Sequence, residues 1–224
     1  DKARLAADYL REEKVDIAFL YISTYALSST VLPIAQQIKV PVIVLNVQPV
    51  AAIDYDKLNS MGDRGDMTGE WLAHCQACSV PEVACIFNRS GIQYDIVSGH
   101  LHDQETWNEI KEWVDAAYVL YALNHSRLGI LGHYYGGMLD VYTDLTELAS
   151  TFGTHIEMLE MCELKDIRDQ VSKDEVERKI DEFRTTFDVI PACEEAEVER
   201  AAYTSVAMDK LVAAHRIDAL AYYY

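Results

Sequence analysis

The sequence predicts an α/β protein of two consecutive units, each built on a parallel sheet. Strand-like apolar runs alternate with helix-like stretches along the whole chain, the order a parallel sheet with helical crossovers requires. Two of the runs, residues 15–23 (VDIAFLYIS) and 40–46 (VPVIVLN), are continuously apolar, as strands buried on both faces are. A strand, a helix and a second strand fall within about thirty residues, the size of one right-handed βαβ unit.

Residues 1–13 read as a helix with Leu5, Tyr9 and Leu10 apolar among charges. Residues 28–39 carry Val31, Ile34 and Ile38 at helical spacing, and Pro33 suits that helix if it falls in the first turn. The stretch 51–64 lacks periodicity and holds Asp54, Asp56, Asn59, Gly62, Asp63 and Arg64, so it reads as a loop; loops leaving parallel strands tend to carry function. Helical patterns follow over 68–78 and 81–89, then a short strand over 93–97. Asp103 reads as the N-cap of a long helix reaching residue 124, with Trp107, Ile110, Val114, Ala117 and Tyr121 along one stripe.

Residues 127–131 (RLGIL) form the strand that opens the second half, followed by a turn over 132–137 (GHYYGG) and a helix over 138–152. A strand over 155–160 comes next. Residues 172–175 (SKDE) are a capping box ahead of Val176, Ile180 and Phe183, and a helix over 194–214 leads into a last strand over 217–224. The expected division is 1–125 and 126–224. The chain opens at Asp1 already inside a helix and stops within an apolar run, so it reads as an internal fragment whose first unit is incomplete at its N-terminus.

The 224 residues include 37 acidic and 19 basic side chains, a formal charge of −18 that repels phosphate backbones and argues against nucleic acid as a partner. No apolar run has bilayer length and no signal-peptide pattern opens the chain, so a membrane is not expected either. The five cysteines read as reduced cytoplasmic thiols. Cys75 and Cys78 form a CxxC beside His74, with Cys85 further on, but zinc needs four ligands and the spacing is also that of helix-face neighbours. They read as buried apolar cysteines. His100 and His102 straddle a strand end, a weak ligand signal, and no histidine pair has the spacing of a helical metal motif. The acidic run Glu194, Glu195, Glu197 and Glu199 reads as a solvated face that complements a helix dipole.

The stretch 129–138 (GILGHYYGGM) is where a site is expected. It joins a strand to a helix, and its glycines let the backbone turn sharply and a ligand approach closely. Asp140 and Asp144 near the helix start would repel a phosphate, whereas His133, Tyr134 and Tyr135 offer donors, acceptors and aromatic faces suited to a neutral polyol or sugar. An ordinary tight strand–helix connection fits the same residues.

The stretches LGILGHYYGGMLDVYTDLTELASTFG and ERAAYTSVAMDKLVAAHRIDALAYYY, together with DRGDMTGEWLAHCQAC, resemble the N-terminal and central domains of the L-arabinose isomerase family. The family features matched are a glycine turn with a methionine nearby, then Thr143, Asp144, Phe152 and Gly153, and later Glu199, Ala201 and Ala202 leading to a strand. The resemblance implies two Rossmann- or flavodoxin-like α/β domains and an aldose–ketose isomerase that uses a divalent metal, usually manganese, held by glutamates and histidines. By the match the first of those glutamates would follow Tyr224, so neither a catalytic residue nor a metal ligand is expected in this chain. The same match makes Tyr135, Met138 and Val198 candidate substrate contacts, beside His133, which the turn itself offers. The family's N-terminal domain lends a glutamine and a histidine to a neighbouring subunit's site, which implies a homo-oligomer; Asp63, Arg64, Asp66 and Met67 stand in that region instead, and the departure leaves the sugar open. A sugar-binding module of the periplasmic-binding or repressor type is the rival reading.

Overall fold

The computed structural model describes residues 2–222. They separate into two compact units, Asp1–Val119 and Leu120–Tyr224, each with its own three-stranded parallel sheet. The fold class is the α/β architecture that alternating apolar runs and helical stretches predict.

In the first unit α1 (Lys2–Glu12) and β1 (Ala18–Tyr21) precede α2 (Ser28–Gln37) and β2 (Val42–Gln48). Three helices follow, α3 (Tyr55–Ser60), α4 (Arg64–Leu72) and α5 (Gln76–Ser90), and then β3 (Tyr94–His100) and the long α6 (Gln104–His125), inside which the two units divide. The sheet order is β1-β2-β3, with Ala18 beside Val42 and Val42 beside Tyr94. The central strand β2 buries Val42, Ile43, Val44 and Val47, which is why its run is apolar without alternation. Val31 and Ala35 from α2 and Val80, Val83 and Phe87 from α5 complete this core. Phe87 meets Tyr94 edge-on, with ring centroids 5.3 Å apart.

Several elements differ from expectation. The stretch read as a loop contains α3, whose N-cap Asp54 accepts from Lys57 N at 2.9 Å, and it ends at Asp63, which caps α4 by accepting from Asp66 N at 2.9 Å. A helix of so few residues is too short to show an amphipathic period. The helix expected over 68–78 starts at Arg64 and ends at Leu72, and Cys75 is the N-cap of α5. Pro33 lies in the second turn of α2, where its missing N–H removes one helical bond without ending the helix. The α6 stripe does not form a core face: Trp107, Val114 and Tyr121 are 46%, 45% and 43% exposed, and the helix meets β3 through buried Thr106. A Cβ at Gly99 would lie 1.8 Å from Thr106 Oγ1, so glycine permits that close approach.

The second unit runs β4 (Arg127–Leu131), a 3-10 turn at Leu139–Val141, α7 (Leu145–Phe152), β5 (His155–Leu159), α8 (Met161–Asp169), α9 (Lys173–Thr186), α10 (Glu195–His215) and β6 (Ala219–Tyr222). The strand order is β5-β4-β6, all parallel. One face of this sheet packs on α8, α9 and α10 through Leu131, Leu159, Leu164, Val176, Ala202, Ala207 and Leu211. Gly129 lies under that contact, since a Cβ there would be 2.9 Å from Leu159 Cδ1 and 3.1 Å from Leu220 Cδ1. The capping box is present: Ser172 N donates to Glu175 Oε2 at 2.9 Å, and α9 starts on the next residue. The helix α8, with few apolar residues, was not expected, and the helix expected over 138–152 forms only from Leu145. The last strand is formed over Ala219–Tyr222, and the remainder of the expected 217–224 run, residues 223 and 224, lies outside the described residues.

Candidate functional site

The connection leaving β4 builds a concave surface in the second unit. Gly132, at φ +82°, turns the chain away from the strand, and Gly137, at φ +90°, turns it again before the 3-10 segment. Both angles fall in the region that glycine adopts without a steric penalty. Asp144 then caps α7, its Oδ1 accepting from Thr146 N at 2.8 Å and Glu147 N at 3.0 Å. A carboxylate already occupies the donors at this helix start, so the site disfavours an anion.

Between the strand ends, this loop and α7 lies a cleft of about 450 Å³. Leu128 and Ile130 alternate along β4 and, with Ala221 and Tyr222 of β6, form the floor; Val141, Leu145 and Leu148 form an apolar wall. Leu128, Ile130 and Ala221 belong to the sheet face opposite the one that packs on α8–α10, and Tyr222, level with Leu131, lines the cleft from the strand end. His133, Tyr134, Tyr135 and Met138 line the mouth. His133 Nδ1 lies 2.7 Å from the Tyr134 carbonyl oxygen, which can only accept, so Nδ1 carries the proton and donates. Tyr134 OH donates to the Thr143 carbonyl at 3.3 Å, and its ring meets Tyr142 edge-on at 5.2 Å. Tyr135 and Met138, 53% and 45% exposed, present an aromatic and a thioether surface to solvent. An apolar floor under a rim of phenol and imidazole suits a neutral ligand with one apolar face and hydroxyls along its edge.

The structure brings three of the sequence-predicted residues, His133, Tyr135 and Met138, to this cleft. Val198 is buried at 7% exposure on α10 and is not part of the cleft lining. Arg64, exposed, and Met67, half-buried, are on α4 of the first unit. Sequence reasoning missed the floor and wall. Alternation of Leu128 and Ile130 along β4 was the available signal for the floor, whereas the contribution of β6 follows only from the strand order.

Histidine and glutamate side chains converge elsewhere in the second unit, at the start of β4 and β5. His215, in the last turn of α10, has Nδ1 3.1 Å from Glu157 Oε1 and Nε2 2.8 Å from Glu163 Oε1. Arg127 pairs with Glu157 through Nη2, and its Nε donates to the His215 carbonyl at 3.0 Å. Asp218 Oδ2 accepts from Arg127 N at 2.8 Å, and His155 Nε2 lies 3.4 Å from Glu157 Oε2. Hydrogen bonds donated to Glu163 and Glu157 raise the pKa of His215, and the bond from His215 is the main cause holding Glu157 below the usual carboxylate range, with His155 and Arg127 adding to it. Glu157 and Glu163 are engaged by Arg127 and by both ring nitrogens of His215, so these residues do not fit a divalent ion. Among the described residues no cluster of three or more His, Cys, Asp or Glu is arranged to hold a metal. His100 and His102 face a local turn, where His100 Nδ1 accepts from His102 N at 3.3 Å. Of the cysteines expected to be buried, Cys75 is, whereas Cys78 and Cys85 are exposed.

No protein-family model matches the chain. L-arabinose isomerases of Bifidobacterium longum strains DJO10A and NCC 2705 are each 28% identical to it over 118 residues. The match takes in 53% of this chain but only 23% of each relative's length. No helix among the described residues is long and apolar enough to cross a membrane. The chain is thus a distant relative of L-arabinose isomerase with an α/β fold.

Proposed function

We propose that the chain is part of a metal-dependent aldose–ketose isomerase of the L-arabinose isomerase type, acting on L-arabinose or a related sugar. In this reading the cleft beside β4 is the chain's sugar-facing surface. The observation that carries the reading is the meeting of His133, Tyr135 and Met138 over an apolar floor, in a chain distantly related to a sugar isomerase. The chain's own share of the work is binding and orientation. Tyr135 offers a ring on which the C–H face of a sugar stacks, and the Tyr134 and Tyr135 phenols lie where sugar hydroxyls would end. The described residues do not fit a divalent ion, so no step of the reaction is derived through one. In the whole protein the manganese or other divalent ion would be held by residues outside this stretch. A cytoplasmic homo-oligomer completes the proposal.

The paired parallel-sheet units and the aromatic mouth of the cleft also favour a second reading, a sugar-binding module. A ketose assay on the product of the complete gene, with and without manganese, separates the two when paired with calorimetry on this chain. The isomerase reading expects ketose from an aldopentose or 6-deoxyaldohexose, dependent on the metal, and only weak sugar binding by the chain alone. Micromolar sugar binding by the chain alone, with no ketose formed by the complete product, would establish the binding module instead.

A further inference from the structure

The CxxC segment is not used by the proposed isomerase, and the structure gives its two thiols different surroundings. Cys75, the N-cap of α5, is 1% exposed, while Cys78, within the first turn, faces solvent. The Cys75 carbonyl accepts from both Cys78 N and Ser79 N at 3.1 Å, so a single tight turn holds the pair. Burial, followed by the neighbouring Cys78 and a hydrogen bond between the two thiols, raises the pKa of Cys75. Cys75 has φ −75° and ψ 1°, off the helical ψ, and the contact between the two thiols puts them within reach of a disulfide.

The same turn secures the loop that leaves the C-terminal end of β1. Gln76 Nε2 donates to the Ser23 carbonyl at 3.4 Å, Ser79 Oγ accepts from Ala26 N at 2.8 Å, and Glu82 Oε1 accepts from Ser28 N at 3.0 Å. Ligand-binding loops of parallel sheets leave this end of the strands. A covalent change at the start of α5 therefore acts directly on the loop that leaves this end of β1.

We propose that Cys75 and Cys78 form a reversible intrachain disulfide, with the exposed Cys78 as the attacking thiol and the buried Cys75 as the resolving one. The oxidant is a low-molecular-weight disulfide such as oxidised glutathione. Cys78 loses its proton to solvent and attacks one sulfur of that disulfide; the S–S bond breaks and one thiolate leaves, taking up a proton. Cys75 then loses its proton and attacks the Cys78 sulfur of the mixed disulfide, which expels the second thiolate. Two protein thiols are oxidised by two electrons, and one small disulfide is reduced to two thiols.

The test uses the intact wild-type chain under native conditions in glutathione buffers of graded ratio, with acid trapping, alkylation and cleavage after glutamate. Cleavage after Glu70 and Glu82 releases a peptide, WLAHCQACSVPE, whose only cysteines are Cys75 and Cys78. The proposal expects this peptide to become unalkylated and lighter by two hydrogen atoms as the buffer is oxidised, and to recover on reduction. In Cys75→Ser, Cys78 should accumulate as a stable glutathione adduct, and in Cys78→Ser the thiol of Cys75 should stay unmodified while circular dichroism shows the fold kept. Stable glutathione on wild-type Cys78, a crosslink from Cys78 to Cys85, or full alkylation of both thiols in oxidised buffer would each overturn it. Disulfide formation only after urea is added would overturn it as well.

Discussion

Replacing His215 with glutamine tests the ion-pair network that ties α10 to β5 and α8. Both hydrogen-bond partners of the ring, Glu157 and Glu163, are carboxylates that only accept, so both bonds exist together only when the imidazole is protonated. Glutamine keeps donors but no charge. The His215 side chain is 24% exposed and its two partners 25% and 41%. Its bonds therefore stand between the about 0–1 kcal/mol of an exposed pair and the about 1.5–3 kcal/mol of a hydrogen bond to a charged group. A loss of about 1–2 kcal/mol is expected for the variant at mildly acid pH. The pKa of His215 is raised in the folded state, so its contribution is complete below the unfolded value of about 6.5 and is lost as pH rises through the folded value. Glu157 is shifted the other way; its contribution is present above the unfolded value of about 4.3 and is lost as pH falls through the folded one. Stability should thus be highest between about pH 5 and 6.5 and fall on both sides. Urea unfolding of wild type and His215→Gln across the pH range is the assay. The difference between them should narrow as pH rises above neutrality. A difference that stays constant or widens with alkalinity would refute a protonated His215.

Three further substitutions have outcomes fixed by packing or by a helix cap. Gly129→Ala places a methyl 2.9 Å from Leu159 Cδ1 and 3.2 Å from Ile217 Cγ2 in a closed contact. Overpacking there should lower urea stability by about 1–3 kcal/mol. Leu211→Ala empties a site with no solvent exposure at the centre of the second core, and about 2–5 kcal/mol should be lost in the same measurement. Asp144→Ala removes the acceptor for Thr146 N and Glu147 N, with an expected loss of about 1 kcal/mol and faster amide exchange in the first turn of α7.

Local signals account for what was legible in the sequence. β4 is found at its actual bounds because an apolar run lies between Ser126 and the turn-forming Gly132. The capping box locates α9 because its two partners are only three residues apart. Short helices escape: α3 is less than two turns long, and α8 has Met161, Cys162, Leu164 and Ile167 among five charged residues. Met138, Leu139 and Val141 mimic a helical period in a segment that the positive φ at Gly137 diverts into a 3-10 turn. The mouth of the cleft was readable from glycine punctuation around His133 and Tyr135. Its floor was not, because β6 reaches the side of β4 only through the strand order, which periodicity along one strand does not specify.

Methyl spectroscopy of the six methionines tests the cleft assignment most directly. Met138 lines the mouth of the cleft, whereas Met61, Met67, Met161 and Met208 do not line it. Titration of the labelled chain with L-arabinose should shift the Met138 methyl progressively to saturation and leave those four unmoved, and Tyr135→Ala should weaken the response at least several-fold. A Met138 signal that stays unmoved up to sugar concentrations far above those that saturate the complete gene product would contradict the account. So would a saturable shift centred on the methionines of the first unit.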